Sequence, residues 1–568
     1  MMIRTNDRKL LIGLLWLSVF VSAVHAATFT GSGTDDQGNT ITFTLTEQIA
    51  PATLYVAANG SDTNNCKSQS APCQTVAKIN SLTLARGGSI LFRGGDTFAG
   101  NLAPNIDGNG DPANPLIIGS YGTGNATLVG NVSGETGVIN IDGMSGVTVQ
   151  DLMIRGPSDM TKMPRAGIRI ANNSATRRGS ITVQRVDVGG ICYFQATAPA
   201  GGQGTNGFEI ELAGYPGTGG LENITVLDSK LHGLNGPTSC DDTGIGGFGN
   251  SSNVFNVHVK NLEIFNIGGG PPGLAPGLAY PPMGDGVAAD GWNGGLVEFS
   301  TAHDLGANYR NPGGGPVGFL TANSVGVRFY RNEAHHIAPS DFSLTQVDFV
   351  GFDLDNASSG CSIDSNYSHD NYNAGFMLFS NGDPAWNNNT ITNNISQNDS
   401  RGGLPGFGAI TINLPGGANP TITVTNNTTF NDLVYTGQPF HNDNQGATGI
   451  AITGGGPFQG TISKNIIVSN QDIYGQVAVL NARTNTATFT PSVDIRNNAW
   501  FAQTGTVTIW WANAQYFDPS AWMTATGKGV GMQFGDPHFT AVGQGPAGYV
   551  QTTYPGWGAA PQPSYGSP

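Results

Sequence analysis

A unit of roughly 30 residues recurs between about Gly143 and Asn498, and within it apolar positions alternate with variable ones. Each copy opens with Gly, apolar, variable, apolar, continues through a short polar turn, and closes with a second alternating strand that ends in Asn or Asp. A fixed period of this kind is typical of solenoids, in which a repeat buries its apolar side only by stacking on its neighbours. The unit contains only strands and turns, so the pattern predicts an all-β parallel β-helix. The opening glycines are Gly167, Gly207, Gly286, Gly318, Gly351, Gly375 and Gly449.

Different patterns flank the repeats. Residues 27–53 carry two alternating runs around a polar turn and are predicted to form an N-terminal β-hairpin. Residues 54–540 are predicted to form one β-helix domain, which begins with a strand, a short amphipathic helix and a second strand as a cap. Aromatic residues from Trp510 to Phe539 are predicted to close the other end. Residues 541–568 are rich in Gly, Pro, Ala and Ser and are predicted to be a flexible tail.

The first 26 residues have the pattern of a bacterial secretory signal peptide. Arg4, Arg8 and Lys9 precede an apolar run at 10–21, and small residues at 24–26 offer a cleavage site. The run is too short to span a membrane. We therefore expect a mature chain that begins near Ala27 in the periplasm or outside the cell, with an uncleaved anchor as the alternative.

The composition narrows the class of partner. Charged residues make up 11% of the chain and the net charge is −15, which argues against nucleic acid or an anionic membrane surface, because both need clustered Lys or Arg. Gly accounts for 84 of 568 residues, which suits a coil with many tight turns. An acidic chain is compatible with a neutral glycan or with Ca²⁺. We expect a monomer that requires no cofactor.

The five cysteines suit an exported protein. Cys66 and Cys73 bracket a short polar loop and are the best candidates for a disulfide. Cys192 and Cys240 lie in loops of neighbouring repeats and are a second candidate pair. Cys361 falls at an inward strand position and is expected to be a buried small hydrophobe.

Two segments carry a resemblance to a known superfamily. Residues 55–62 (YVAANGSD), followed by 72–75 (PCQT) and 90–95 (ILFRGG), are similar to the opening of bacterial right-handed parallel β-helix proteins of the pectin-lyase-like superfamily. The run from Gly351 to Leu378 resembles the repeat of exported β-helix proteins. The resemblance implies an exported protein of the polysaccharide-acting type, with a substrate groove along the first sheet of each rung. No complete catalytic signature of a named family is found.

Strand alternation predicts which side chains line that groove. In residues 351–355 (GFDLD), Phe352 and Leu354 must fill the core, so Asp353 and Asp355 are predicted to point to solvent. Their Cα atoms are expected to lie roughly 6.6–7 Å apart on one face. Two carboxylates about 6.5–9.5 Å apart leave room for the water of an inverting glycosidase. The pair is therefore the first candidate for general acid and base catalysis.

Two further pairs of acidic residues are candidates for the same groove. Asp285 and Asp290 come two rungs earlier, about 10 Å along the axis, and are further catalytic candidates. Glu209 and Glu211 repeat the same spacing about four rungs away, near 19 Å, which is too far for one cluster. Exposed acidic residues on a β-helix also serve solubility alone or prevent lateral pairing of sheets.

The remaining candidates are predicted to contact substrate. The same alternation turns Arg169, Glu209, Glu211 and Phe379 outward. His303 and His369 fall, with a third histidine at 335, at one register in three successive rungs. Such a column is suited to a metal or to proton shuttling, but a stacked ladder that satisfies turn backbone groups is the alternative. No loop has the ordered ligand spacing of a Ca²⁺ site.

Together these patterns predict a secreted glycoside hydrolase that acts on an extended glycan. The first alternative is a polysaccharide lyase or epimerase that acts on a uronate-containing glycan and uses a base such as Arg169, Lys230 or Lys260. The second alternative is a non-catalytic glycan-binding or surface protein, because solenoids also serve as rods.

Overall fold

The computed structural model describes most of the chain beyond the predicted signal peptide, which lies outside it. The described residues are 28–34, 40–46, 51–193, 207–215, 217–233, 243–247, 253–269, 284–309, 314–340, 348–400, 402, 406–415, 419–431, 448–469, 480–482, 492–503, 507–512 and 514–567. Within these ranges no helix is long and apolar enough to cross a membrane.

The chain forms short strands joined by turns. In chain order the first twenty are β1 (Thr28–Thr34), β2 (Thr40–Thr46), β3 (Thr53–Val56), β4 (Thr83–Leu84), β5 (Ser89–Arg93), β6 (Thr97–Ala99), β7 (Asn105–Ile106), β8 (Leu116–Tyr121), β9 (Ala126–Val129), β10 (Gly134–Asp142), β11 (Val147–Arg155), β12 (Pro164–Asn172), β13 (Arg178–Gly189), β14 (Phe208–Gly214), β15 (Leu221–His232), β16 (Thr243–Gly246), β17 (Val254–Phe265), β18 (Asp285–Asp290), β19 (Trp292–Glu298) and β20 (Thr301–His303). The others are β21 (Val317–Ala322), β22 (Val325–Tyr330), β23 (Glu333–His335), β24 (Val350–Leu354), β25 (Ser362–Asp364), β26 (Tyr367–His369), β27 (Phe376–Phe379), β28 (Asn389–Thr392), β29 (Ile395–Gln397), β30 (Gly408–Asn413), β31 (Thr421–Thr425), β32 (Thr428–Phe430), β33 (Thr448–Thr453), β34 (Gln459–Ser463), β35 (Ile466–Ser469), β36 (Leu480–Ala482), β37 (Ser492–Arg496), β38 (Ala499–Ala502), β39 (Ile509–Trp511) and β40 (Ala514–Tyr516). Two α-helices accompany them, α1 (Val76–Asn80) and α2 (Pro519–Thr526).

The strands stack into three parallel sheets of a right-handed β-helix, which confirms the predicted fold. Sheet A runs β10-β12-β14-β16-β18-β21-β24-β27-β30-β33-β36-β39, and β40 adds to its end antiparallel. Sheet B runs from β3 through β5, β8, β11, β13, β15, β17, β19 and β22 to β37. Sheet C runs from β6 through β9, β11, β13, β15, β17, β20, β23 and β26 to β38.

Sheets B and C share the long strands β11, β13, β15 and β17. Where each of these strands passes from sheet B to sheet C, one residue has positive φ, namely Asp151 (54°), Arg185 (50°), Asp228 (48°) and Asn261 (58°). Strands β13, β15 and β17 have a second such residue near their start, at Ser180, Asn223 and Asn256. Asn and Asp enter this left-handed region more easily than most residues, because their short polar side chains bond locally, and they occupy all but two of these positions.

Four of the predicted glycines, Gly286, Gly318, Gly351 and Gly375, form a column with Gly244 at the start of the sheet A strands. A Cβ atom on Gly244 or Gly286 would lie 2.5 Å from the carbonyl oxygen of the glycine one rung further on. The corresponding distances for Gly318 and Gly351 are 2.6 and 2.8 Å, and the column ends at Gly375. Real Cβ atoms do not approach oxygen so closely, so the recurring glycine is required by the contact between rungs.

A ladder of buried asparagines follows the turn between sheets B and C. The side-chain amide nitrogen of Asn394, for example, donates to the Asn427 side-chain oxygen at 3.0 Å and to the Ile363 carbonyl oxygen at 2.9 Å. The backbone and side-chain nitrogens of Asn366 donate to Asn394 in the same way. The asparagines that end the second strand of successive repeats thus bond to one another, and they satisfy turn groups that have no strand partner. The ladder consists of Asn332, Asn366, Asn394, Asn427, Asn465 and Asn498.

We expect Asn394→Ala to destabilise the protein by about 2 kcal/mol or more, because it leaves buried donors and an acceptor of two rungs unpaired. Chemical denaturation of the variant would measure this loss. Asn131→Ala, at an exposed position, is the matched control and should leave the midpoint unchanged. Equal midpoints for both variants would contradict the role assigned to the ladder.

The N-terminal region agrees with the sequence-based prediction, whereas the C-terminal tail does not. The N-terminal hairpin is present, with β1 and β2 paired antiparallel, and α1 lies between β3 and β5 as predicted. The predicted Cys66–Cys73 disulfide is also present, and Cys361 is free and buried. Cys192 is disulfide-bonded, whereas its candidate partner Cys240 lies outside the described residues.

The C-terminal tail, predicted to be flexible, is instead packed along the outer face of sheet C. Tyr549 is fully buried, and its hydroxyl donates to the Gln397 side-chain oxygen at 2.9 Å. Further along, the Ala559 amide donates to the Thr428 hydroxyl at 3.0 Å. Composition predicted fraying because Gly and Pro are abundant, but aromatic residues spaced among them fill an apolar strip on sheet C.

We expect Tyr549→Ala to detach this part of the tail, because the ring packs against aromatic neighbours centred 5.2 and 5.9 Å away. Loss of a large buried side chain costs about 3–5 kcal/mol. Limited proteolysis should then cut the tail faster than in the native chain. Val550→Ala removes a side chain that is 46% exposed and serves as the control. Unchanged cleavage in Tyr549→Ala would show that the tail is held elsewhere.

Candidate functional site

The outer face of sheet A is largely covered, which corrects the predicted open ladder. Asp353 is only 2% exposed, and Glu209, Glu211 and Arg169 are buried too. Around Asp353 the covering is apolar, from side chains on the same outer face and on the edges of the strands. These are Val317, Val350, Ala374 and Met377, with Leu320, Phe379 and Phe407 partly buried against them. Alternation of the strand indicated the face correctly, but exposure depends on what packs over that face.

The four predicted catalytic aspartates lie on β18 and β24 or directly after it. Asp353 pairs with Leu320 of β21 on one side and with Met377 of β27 on the other. Asp355 follows β24 and is half-buried. Asp285 begins β18 and Asp290 ends it, two rungs away from Asp353, as predicted. The structure therefore places the four on one stretch of sheet A.

The bonds that these carboxylates accept are few. Asp285 accepts the Val317 amide at 2.9 Å, and Asp290 accepts the Asn323 side-chain amide at 2.9 Å. Asp355 accepts the Asn356 amide at 2.6 Å. One oxygen of Asp353, Oδ1, is buried and accepts no hydrogen bond from any described residue. A buried carboxyl oxygen without a donor disfavours the charged form.

Burial and mutual repulsion raise the pKa values of the group. Burial, followed by the charges of Asp355, Asp348 and Asp285, raises the pKa of Asp353 well above its ordinary value. Burial raises the pKa of Asp285 to about 8 against the Val317 hydrogen bond, and a similar combination raises the pKa of Asp355 to about 8. Carboxyl groups that hold protons near neutral pH are suited to general acid catalysis.

Asp348 belongs to the same group, although the sequence analysis missed it. It precedes β24, and burial raises the pKa of its carboxyl to about 6. Its charge contributes to the raised pKa values of Asp285, Asp353 and Asp355. Because Asp348 lies in a loop, outside the repeating strand pattern, no periodic signal marked it. We call Asp285, Asp290, Asp348, Asp353 and Asp355 the aspartate cluster.

A second charged group lies further along sheet A. Glu211 of β14 is fully buried between two arginines of β12, with Arg165 Nη2 at 3.4 Å and Arg169 Nε at 3.3 Å. Arg169 also donates to the Tyr215 hydroxyl at 2.5 Å and lies 3.6 Å from Asp142. Burial raises the pKa of Glu211, and the two guanidinium groups oppose that rise. These residues form a buried ion-pair network.

The network and the aspartate cluster are separate sites. Strand β14 lies four rungs from β24, about 19 Å along the axis, as the sequence predicted. Glu209 of the same strand accepts the Ile191 amide at 3.3 Å. The other basic candidates lie off sheet A, because Lys230 belongs to β15 and Lys260 to β17. Lys230 pairs with Glu263 at 2.5 Å, and Lys260 lies 3.4 Å from Glu298.

The predicted histidine column exists, but it lies on sheet C and not beside the aspartates. His303, His335 and His369 occupy one register in β20, β23 and β26. Their rings stack with centroids 4.8 and 4.6 Å apart, and the stack continues through Phe265 to His232. His303 and His369 were predicted to contact the same substrate as the aspartates. Their different sheet separates them from the aspartate cluster.

Metal-ligating groups converge at one place among the described residues. Glu333, His335 and His369 each place a ligand atom within 4.8 Å of the other two. Among the described residues, the aspartate cluster contains no such trio. Binding of Ca²⁺ by the aspartate cluster therefore stays a prediction that rests on the acidic composition alone.

Searches with protein-family models and against curated proteins find no match. Among solved structures, a GH136 lacto-N-biosidase from Eubacterium ramulus is 18% identical, with 71% of this chain and 68% of that chain covered and a TM-score of 0.49. Pectate lyase Pel9A is 14% identical over 68% of this chain and 78% of that chain, with a TM-score of 0.38. An alginate lyase from a Paenibacillus species is 13% identical over 67% and 98%, with a TM-score of 0.35.

The described strands define a right-handed parallel β-helix. That confirms the fold that the resemblance in the sequence implied. The similar structures named above include both a hydrolase and lyases, so they do not distinguish between reactions. The reaction has to be argued from this chain's own residues.

We expect Asp285→Asn to raise the melting temperature at pH 8 and to leave it nearly unchanged at pH 4. The folded carboxyl keeps its proton up to about pH 8, whereas an unfolded aspartate releases it near pH ~4. The folded state therefore binds more protons between these values, and stability falls as pH rises through them. Asparagine removes that loss and can still accept the Val317 amide.

Thermal unfolding of both proteins at several pH values would measure the difference. The half-exposed Asp494, mutated to asparagine on sheet B, is the control and should track the native chain at every pH. Parallel curves for Asp285→Asn and the native chain would contradict the burial of a protonated group at this position.

Proposed function

We propose that the protein is an exported glycoside hydrolase that cleaves an extended glycan on sheet A, with Asp353 as general acid and Asp355 as general base. The observation that carries this proposal is the buried Asp353 Oδ1 atom, which no described residue bonds. An unpaired buried carboxyl group destabilises the fold, so its presence two residues before a second carboxyl group, that of Asp355 directly after β24, favours a catalytic role.

The two roles follow from the two environments. Asp353 is enclosed by apolar side chains and keeps its proton more firmly. Asp355 is half-buried and accepts the Asn356 amide, which favours its charged form once one proton leaves the pair. Pairs of carboxyl groups in unequal environments divide acid and base work in this way.

The spacing indicates the stereochemistry. Residues two apart in an extended chain lie roughly 6.6–7 Å apart at Cα and share a face, and Asp355 directly follows β24. We therefore propose the inverting arrangement, in which carboxyl groups about 6.5–9.5 Å apart admit a water molecule between them. Asp353 would protonate the leaving oxygen as the glycosidic C–O bond breaks. Water would add to the anomeric carbon from the other side and pass its proton to Asp355, with inversion.

Neighbouring residues support the same proposal. Met377 and Phe379 of β27 lie one rung beyond the pair, and Phe379 is half-exposed. An aromatic side chain beside two carboxyl groups is suited to packing against a sugar ring. The charges of Asp285 and Asp348 add to the raised pKa values of both members of the pair, and that of Asp290 adds to the raised pKa of Asp355.

The lyase alternative loses support from the residues first considered for it. A lyase needs a base that is free to take a proton. Arg169 is held by Glu211, Asp142 and Tyr215, and both Lys230 and Lys260 lie off sheet A. The described aspartate cluster is acidic throughout, which disfavours binding of a uronate polymer.

We expect Asp353→Asn and Asp355→Asn each to reduce hydrolysis by about 10²–10⁴-fold, the usual contribution of a general acid or base. Reducing ends released from a panel of neutral and acidic polysaccharides would measure the loss, with assays from pH 6 to 9 because both pKa values are raised. Proton NMR of the first product should show an inverted anomeric configuration.

Controls separate catalysis from folding. Asparagine keeps the shape of both side chains, and thermal unfolding should confirm that both variants fold. Asp494→Asn on sheet B should retain full activity. An unsaturated product that absorbs near 235 nm would overturn hydrolysis in favour of elimination. Glycan binding without any product would favour the alternative of a non-catalytic glycan-binding protein.

A further inference from the structure

The outer face of sheet C carries a geometry that glycan hydrolysis on sheet A does not use. Glu333 and His335 are two residues apart on β23, so they share the outer face. His369 of β26 is the direct register partner of His335 one rung on. The three side chains are thus neighbours on one face of sheet C, and their ligand atoms lie within 4.8 Å of one another.

From this arrangement we propose that Glu333, His335 and His369 bind a divalent transition-metal ion of the Zn²⁺ class. Imidazole nitrogens with one carboxylate are a ligand set that such ions prefer over Ca²⁺ or Mg²⁺. Three protein ligands leave a coordination position for water. The site is independent of the glycan reaction, because it lies on a different sheet from the aspartate cluster.

The second ring nitrogens are already oriented. His369 Nδ1 lies 2.7 Å from the Asp370 carboxylate, and its Nε2 lies 3.2 Å from Glu333 Oε1. His335 Nδ1 lies 2.6 Å from a nitrogen of His336. Metal-bound histidines commonly use their far nitrogen in such a contact, which holds the ring in place. The His369 ring therefore directs Nε2 toward Glu333.

The neighbouring rungs show why the site falls at β23. One rung earlier, the residue in register with Glu333 is Thr301, which offers no carboxylate. One rung later, the residue in register with Glu333 is Tyr367. Of these three rungs, only β23 joins a carboxylate to a histidine on one strand. The side chains of Glu333 and His369 remain 27% and 15% exposed, so an ion can reach them.

The ladder itself supplies conservative variants. Phe265 occupies the same column two rungs before His335 and packs in the same way, 5.4 Å from His303. Gln397 is the register partner of His369 in β29. His335→Phe and His369→Gln therefore place side chains that this column already accommodates, while each removes one ligand.

The test is zinc binding by the mature chain without a polyhistidine tag, measured in competition with a chromophoric chelator. We expect about one Zn²⁺ per chain, a higher melting temperature with Zn²⁺, and no comparable effect of Ca²⁺ or Mg²⁺. Both variants should weaken binding at least about tenfold, and Asp370→Asn by about 10–100-fold through the lost support. Co²⁺ absorption bands would report nitrogen and oxygen ligands directly.

The control is His258→Gln on sheet B. His258 also contacts a glutamate, with Nε2 3.1 Å from Glu298 Oε1, but Lys260 already lies 3.4 Å from that carboxylate. This variant should bind zinc as the native chain does. Absence of saturable zinc binding, or equal affinity in the native chain, His335→Phe and His369→Gln, would overturn the proposal and leave the column as a structural stack.

Discussion

The close contact between successive rungs at the glycine column is the constraint on which the rest of the structure depends. Gly318 and Gly351 leave no room for a Cβ atom, which would lie 2.6 and 2.8 Å from the carbonyl oxygen of the next glycine in the column. The strands then stack in register, and each rung buries its apolar face against its neighbours. In β24, the residues after Gly351 alternate between the two faces of the sheet, so Phe352 points inward and Asp353 points outward.

Because the rungs stack in register, side chains at equivalent positions of successive rungs form columns. The asparagines, histidines and aspartates discussed above interact with one another within or near such columns. Amide side chains form a buried ladder at one turn because each bonds the next. Imidazoles at another position stack as rings 4.6–4.8 Å apart. Carboxylates on sheet A repel one another and hold protons. The same spacing thus stabilises polar groups in one column and raises the pKa values of acids in another.

Covering of the sheets then decides which columns are accessible. The tail lies over sheet C and buries its own Tyr549 against that sheet, although its composition predicted a flexible segment. On sheet A, Met377 and its apolar neighbours enclose Asp353. Burial gives that carboxyl group its unusual proton affinity, so the packing of outer faces is as important to the site as the coil itself.

By itself, the sequence determined the parallel coil, its apolar interior, the glycine and asparagine columns and the strand that carries Asp353, because each follows from a local period. It also placed Asp285 two rungs away correctly. Only the tertiary structure decided that Asp353 is buried, that Asp348 joins the cluster from a loop, and that His369 lies on another sheet. The physical reason is that periodicity encodes the face of a strand, whereas burial and proximity between sheets depend on how the chain turns and on what covers it.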